Sequence, residues 1–270
     1  MKPCLNQDTL RPTPTDLFLR IAKNTGFDAV EFTMDKIETA IQQDVLNKLK
    51  EELREHELQT ASINGPENFN LLERSEFSNL LKRTEGIIHA AREMGCNLLI
   101  PVPSPIKADT SNEEVIDQTT HALIELADCC GDMDLGLEFL GMRECSINNL
   151  ETASEVVRRV ALRNVGLVID TFHMHLSDSR LSDIAKLKGY QVFLIHVNDS
   201  ERGDKTRLTD ANRLFPGEGS IDLKAFASSI GEIGYDGFLS LELLRPEYWQ
   251  RDAEEIARAG RDSLKRIFGV

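Results

Sequence analysis

Four residues, Glu138, Asp170, His196 and Glu242, hold matching places in four successive apolar runs, LGLEFL, VGLVID, VFLIHV and FLSLEL. Two glutamates, one aspartate and one histidine make an oxygen-rich donor set with a single imidazole. Such a set suits one hard-to-borderline divalent cation, Zn2+, Mn2+ or Co2+. Any one of the four, taken alone, reads as ordinary charge at a strand end. All four in the same register do not, because three carboxylates crowded together repel one another and a divalent cation relieves that repulsion. His173 and His175 follow Asp170 in the run DTFHMH. Either could be an extra ligand, part of a second metal site, or a hydrogen-bonding partner of substrate; for His175 a satisfied loop histidine is preferred. His56, His89 and His121 fall in helical stretches, which leaves too few histidines for a multi-zinc cluster.

The runs that carry these groups are short and strand-like, and alternate side chains of a strand point to opposite faces. Leu135, Leu137 and Phe139 therefore oppose Gly136 and Glu138. Val165, Leu167 and Ile169 oppose Gly166, Val168 and Asp170, and Leu239, Leu241 and Leu243 oppose Ser240 and Glu242. One face of each run is built to pack helices, while the other ends in a metal-competent group.

The same pattern extends through the chain. Strands are expected near Cys4–Asn6, Ala29–Thr33, Gln59–Asn64, Asn97–Val102, Asp134–Leu140, Val165–Asp170, Val192–Asn198 and Gly237–Leu244. Amphipathic stretches such as Asp44–His56, Ser75–Met94, Asn112–Cys129, Leu150–Val160, Leu223–Ile233 and Ala253–Ile267 lie between or after them. Strands alternating with helices imply parallel βα units, and eight such units close into a barrel of roughly 250 residues. The fold class is thus α/β, a single (β/α)8 TIM barrel over residues 1–270. An open doubly wound sheet would want a glycine-rich first turn, and neither GxGxxG nor GxxxxGK[ST] occurs. Helix starts are marked at Thr13-Pro14-Thr15-Asp16 and Ser220-Ile221-Asp222. The longest irregular stretch is roughly 199–221; a loop of that length at a strand's C-terminal end is usually either functional or disordered, and its place straight after His196 favours function.

A formal net charge of −14 argues against nucleic acid as a partner, since phosphate binding wants a surplus of Lys and Arg. No run approaches the roughly 20 apolar residues of a membrane span, and MKPCLNQDTL lacks a signal peptide's apolar stretch. Five scattered cysteines show no CxxC spacing and suit a reducing cytoplasm. Arg202 and Glu144, each six positions beyond a candidate ligand, belong on loops over the barrel mouth. They could hold a negatively charged oxygen and accept from sugar hydroxyls, respectively.

The segments LEFLG, NVGLVIDTFHMH, FLIHVND, RLTDANRLFPGEGSIDL and LELLRPEYW resemble the xylose-isomerase-like family of sugar isomerase and epimerase barrels, within it the inosose isomerase branch. Clear motifs cover about the C-terminal half; the N-terminal half matches in layout. The resemblance implies Glu138, Asp170, His196 and Glu242 as ligands of one divalent metal ion, with Glu138 and Glu242 also the catalytic acid–base pair. It implies substrate contacts at His173, Arg202 and Glu144. The expected reaction moves the carbonyl of an unphosphorylated cyclic keto-polyol by one carbon through an enediolate. The rivals are an open-chain ketose epimerase, a hydroxypyruvate-type isomerase and an inosose dehydratase. A metal-dependent abasic-site nuclease is disfavoured by the charge, and a non-catalytic sugar-binding protein by the two intact glutamates. The aromatic pair Tyr248-Trp249 is left open between an interface and a pocket wall.

Overall fold

In the computed structural model, which describes residues 1–270, strand-forming runs alternate with helices from Lys2 onward. The strands are β1 (Lys2–Asn6), β2 (Ala29–Thr33), β3 (Gln59–Glu67), β4 (Leu98–Val102), β5 (Asp134–Glu138), β6 (Val165–Asp170), β7 (Val192–Val197), β8 (Asp199–Ser200), β9 (Arg213–Leu214) and β10 (Phe238–Leu241). β1 to β7 and β10 pair in parallel and close into a barrel, β10 joining β7 to β1. This is the (β/α)8 architecture expected of the repeating pattern. No helix is long and apolar enough to cross a membrane.

The period-two reading accounts for both faces of the wall. Leu135, Leu137, Phe139, Leu167, Ile169, Leu239 and Leu241 face outward into the main core beneath the helices. The inward face is lined by a smaller set, Cys4, Ala29, Ala61, Leu98, Ile100, Val168 and Leu194. The sequence alternation does not anticipate one residue there. The β6–β7 register shifts between Leu167 and Val168, which leaves Phe193 unpaired between Val192 and Leu194. Its ring packs against the inner set, and Gly166 makes the room. A Cβ at Gly166 would lie 2.7 Å from Phe193 Cζ and 2.8 Å from the Gln191 carbonyl oxygen. Gly166→Ala should therefore destabilise the barrel by about 1–3 kcal/mol, the usual cost of overpacking. Urea unfolding measures this, and an unchanged midpoint would show that Phe193 moves aside freely.

Two element boundaries bear on the site. β10 stops at Leu241, so Glu242 lies one residue past the strand, anchored by its amide to the Val197 carbonyl at 3.2 Å. The stretch after His196, expected to be irregular, folds back on itself instead. β8 and β9 pair antiparallel, with Ser200 opposite Arg213. The buried Asp199 carboxylate then accepts from the amides of Ser200, Gly217, Gly219 and Ile221. One buried acid thus ties both ends of the excursion to the barrel rim. Asp222 caps the next helix, Leu223–Glu232, by accepting from the Ala225 amide at 3.0 Å. Pro14 precedes the helix Thr15–Thr25 without a side-chain cap.

Candidate metal and active site

Four consecutive barrel strands in the ring deliver the four candidate ligands to one point. Glu138 ends β5, Asp170 ends β6, His196 is the penultimate residue of β7 and Glu242 follows β10. Ligand atoms from all four residues lie within 4.8 Å of one another, and all four residues are buried. The four donor atoms are thus grouped closely enough that Glu138, Asp170, His196 and Glu242 would together hold one cation.

Three of the ligands are oriented by hydrogen bonds to groups outside the set, and Glu138 by its contact with His196. Asp170 Oδ1 accepts from the Phe172 and His173 amides at 2.6 and 3.1 Å, capping the short helix Thr171–Leu176. Asn198 Nδ2 donates to both Asp170 oxygens, at 3.3 and 3.2 Å. Glu242 accepts from Asn6 Nδ2 at 3.0 Å through Oε1 and from Arg213 Nη1 at 3.1 Å through Oε2. His196 Nδ1 faces Glu138 Oε1 at 2.8 Å, while Nε2 faces both oxygens of Glu31 at 3.0 and 3.1 Å.

Exposure separates the ligands into two pairs. The side chains of Asp170 and His196 are fully buried, whereas Glu138 and Glu242 retain 4% and 8% of their exposure. The two glutamates are thus the ligands that keep a trace of exposure.

The electrostatics favour a cation. Glu31, Glu138, Asp170 and Glu242 are four buried carboxylates, against which Arg213 brings the one buried guanidinium of the cluster. Burial would by itself raise the Asp170 carboxyl, but Arg213, His173 and His196 together hold it well below the usual aspartate value. For Glu242 burial prevails over His196 and Arg213, and Glu138 and Asp170 add to it, so its carboxyl is raised well above the usual glutamate value. Burial would keep His196 neutral, yet Glu242, Glu31 and Glu138 raise it well above the usual histidine value. A divalent ion would relieve the repulsion among these carboxylates, and the donor set fits one.

The other expected contacts divide. The structure brings His173 to the cluster: it is buried, Nε2 lies 3.3 Å from Arg213 Nη2, and Nδ1 has no partner. Burial first, and Arg213 next among the lowering influences, set its imidazole below the usual histidine value. His175, only half-buried, stays outside. Arg202 and Glu144 do not reach the cluster, and both are exposed. Glu144 lines a separate cleft of about 360 Å³ with Arg143, Lys205 and Arg207.

The arginine at the cluster is Arg213. The β8–β9 pairing turns it inward, where it bonds Asp170, Glu242 and Asp210 and lies over the Phe172 ring at 4.9 Å. Arg202, beyond β8 on the exposed part of the same loop, cannot share that position. Arg202→Ala is expected to shift folding stability by less than about 0.5 kcal/mol in chemical denaturation, as for a solvated surface charge. A larger loss would reveal a contact that its exposure does not suggest.

Sequence reasoning passed over two members of the cluster. Glu31 carried the same signal as the ligands, an acid on the inward face of an alternating run, AVEFT. Arg213 carried none, because its place depends on the β8–β9 hairpin. The aromatic pair takes two positions: Tyr248 stacks on Phe215 at 4.6 Å, and Trp249 Nε1 donates to the Asp8 carbonyl at 2.9 Å.

Fold and cluster together define a (β/α)8 barrel with a buried site able to hold a divalent cation at the C-terminal mouth. Residues 19–267 match the family model of the xylose isomerase-like TIM barrel. The chain belongs to that family. It is 31% identical to the inosose isomerase of Bacillus subtilis (strain 168) over the whole of both chains. It is 30% identical to that of Bacillus velezensis over 99% of this chain and 97% of the other. Among solved structures, the crystal structure of the IolI protein with a bound zinc atom superposes with a TM-score of 0.95. That protein is 30% identical, and the match covers 100% of this chain and 98% of the other.

Proposed function

We propose that this protein is an inosose isomerase, converting 2-keto-myo-inositol to 1-keto-D-chiro-inositol in inositol catabolism. The reading rests chiefly on full-length likeness to inosose isomerases in a chain that gathers Glu138 and Glu242 into one buried cluster with Asp170 and His196. A divalent ion held by Glu138, Asp170, His196 and Glu242, Zn2+ first given the zinc of the IolI structure, would supply Lewis acidity at the carbonyl and its neighbouring hydroxyl. One glutamate removes the proton from the hydroxyl-bearing carbon, the other returns a proton to the former carbonyl carbon, and the hydroxyl proton passes to the former carbonyl oxygen. The carbonyl moves by one position through an enediolate.

Arg213 and the unpartnered Nδ1 of His173 offer polar contacts to substrate oxygens beside these glutamates. Arg202 and Glu144 would join them only if the loops that carry them fold inward. An unphosphorylated substrate is supported by the Asp199 carboxylate. It already occupies the amides of Gly217, Gly219 and Ile221, which could otherwise cradle a phosphate. Five free thiols are consistent with a cytoplasmic setting.

The test is an NMR assay of metal-loaded protein with a panel of keto-inositols in D2O. Deuterium should appear at the carbon that loses its carbonyl. Loss of water from the ring would identify a dehydratase instead. Efficient turnover of a sugar phosphate, with none on keto-inositols, would overturn the substrate assignment.

A further inference from the structure

The Glu31 side chain has no exposure at all and lies on β2, remote in sequence from every candidate ligand. An isolated ionised carboxylate is among the costliest groups to bury, and such a group persists where its partners demand it. Its partners are specific. Both oxygens face His196 Nε2, at 3.0 and 3.1 Å, and Ser240 Oγ on β10 donates to Oε2 at 2.6 Å. Asn64 Nδ2 approaches Oε1 from β3 at 3.4 Å. Hydrogen bonds from three other strands therefore fix the Glu31 carboxylate before any cation is considered.

We infer that Glu31 is a positioning residue: it holds the Nε2–H tautomer of His196, so that the Nδ1 lone pair is presented to the cation position. A neutral imidazole carries one N–H, and the nitrogen left free for a cation is set by the hydrogen bond that the other nitrogen donates. Glu138 and Glu31 face the two ring nitrogens at nearly equal distance. Only Glu138 belongs to the group of residues whose ligand atoms converge; Glu31 lies across the ring from it. With an ion bound, Glu138 has a new partner, while Glu31 still has only His196, Ser240 and the weaker Asn64 contact. The proton therefore stays on the Glu31 side. Ser240 works with it, because its hydroxyl sets the angle of the carboxylate against the ring. The same backing explains why β2 carries an acid where the neighbouring inward position holds Ala29.

This inference rests on the cation reading of the site but not on the identity of the substrate. The experiment uses Co2+ alone with the full chain. Its binding is followed by visible absorption, alongside urea unfolding of the cation-free protein and the 15N shifts of labelled histidine. Glu31→Ala should weaken Co2+ binding by about 10–100-fold, the usual effect of losing such a partner. The His196 signals of its Zn2+-loaded form should no longer report a single tautomer. Glu31→Gln keeps the shape and an accepting oxygen, and should recover part of the affinity. This isosteric variant keeps the test open if Glu31→Ala folds poorly. Wild-type Co2+ affinity in both variants, with only the unfolding midpoint lowered, would reduce Glu31 to a structural group and overturn the inference. Failure of the unmodified protein to bind Co2+ would instead overturn the cation reading on which it rests.

Discussion

Glu242→Gln should lower turnover of a keto-inositol by about 10²–10⁴-fold, the range for loss of a general acid or base. The change keeps the volume of the side chain and removes the group that carries the proton. Its structural consequences are bounded by the two donors that hold Glu242, Asn6 Nδ2 and Arg213 Nη1. A glutamine can turn its oxygen to one of them only by pointing its amide nitrogen at the other. Asn6 cannot turn its own amide without releasing the Asp8 amide, which its Oδ1 accepts at 2.8 Å. The variant therefore gives up one buried hydrogen bond, about 1–3 kcal/mol, and remains folded. In D2O the unmodified protein should label the carbon that loses its carbonyl, and the variant should label it at the reduced rate of turnover. Product that forms without deuterium in the unmodified protein would point to a hydride shift or a shielded proton, and the base assignment would fall.

His196→Ala should abolish cation binding, and with it activity. Three properties make this the most exposing substitution among the ligands. His196 is the one nitrogen donor of the cluster, it is fully buried, and its ring joins Glu138 to Glu31. Alanine leaves both carboxylates facing an empty space, so repulsion among the acids rises while the fourth ligand is missing. Elemental analysis after loading with Zn2+, together with circular dichroism, separates loss of metal from loss of fold. His196→Asn keeps a polar group at the position and guards against collapse of the alanine variant. Full metal occupancy in a folded His196→Ala would remove this residue from the site.

A local period of two carries much of this architecture, and it is legible without coordinates. Backbone geometry alone puts Glu138, Asp170 and Glu242 on the face opposite the leucines and isoleucines of their runs, because consecutive strand residues alternate. The same rule assigns Leu135, Leu137, Leu239 and Leu241 to the helix-packed core, where the structure has them. Repetition of strand and helix signals then implies a closed parallel barrel, since such units bury their strands on both faces. Glu31 obeyed the same rule and was legible in principle.

What remained depended on contacts between residues far apart in the chain, for which local pattern holds no term. The β6–β7 register shift swings Phe193 into the barrel against Gly166, contrary to strict alternation. Asp199 gathers amides from Gly217 to Ile221 and so shapes a stretch that composition marks only as polar. The hairpin closed by Ser200 and Arg213 selects which arginine meets Asp170 and Glu242, and leaves Arg202 in solvent. The sequence by itself determined which residues face inward, because that is set by each strand's own geometry. The tertiary structure decided which of those residues meet, how close they come and what holds them, because those distances follow from barrel closure and from loops folding back over it.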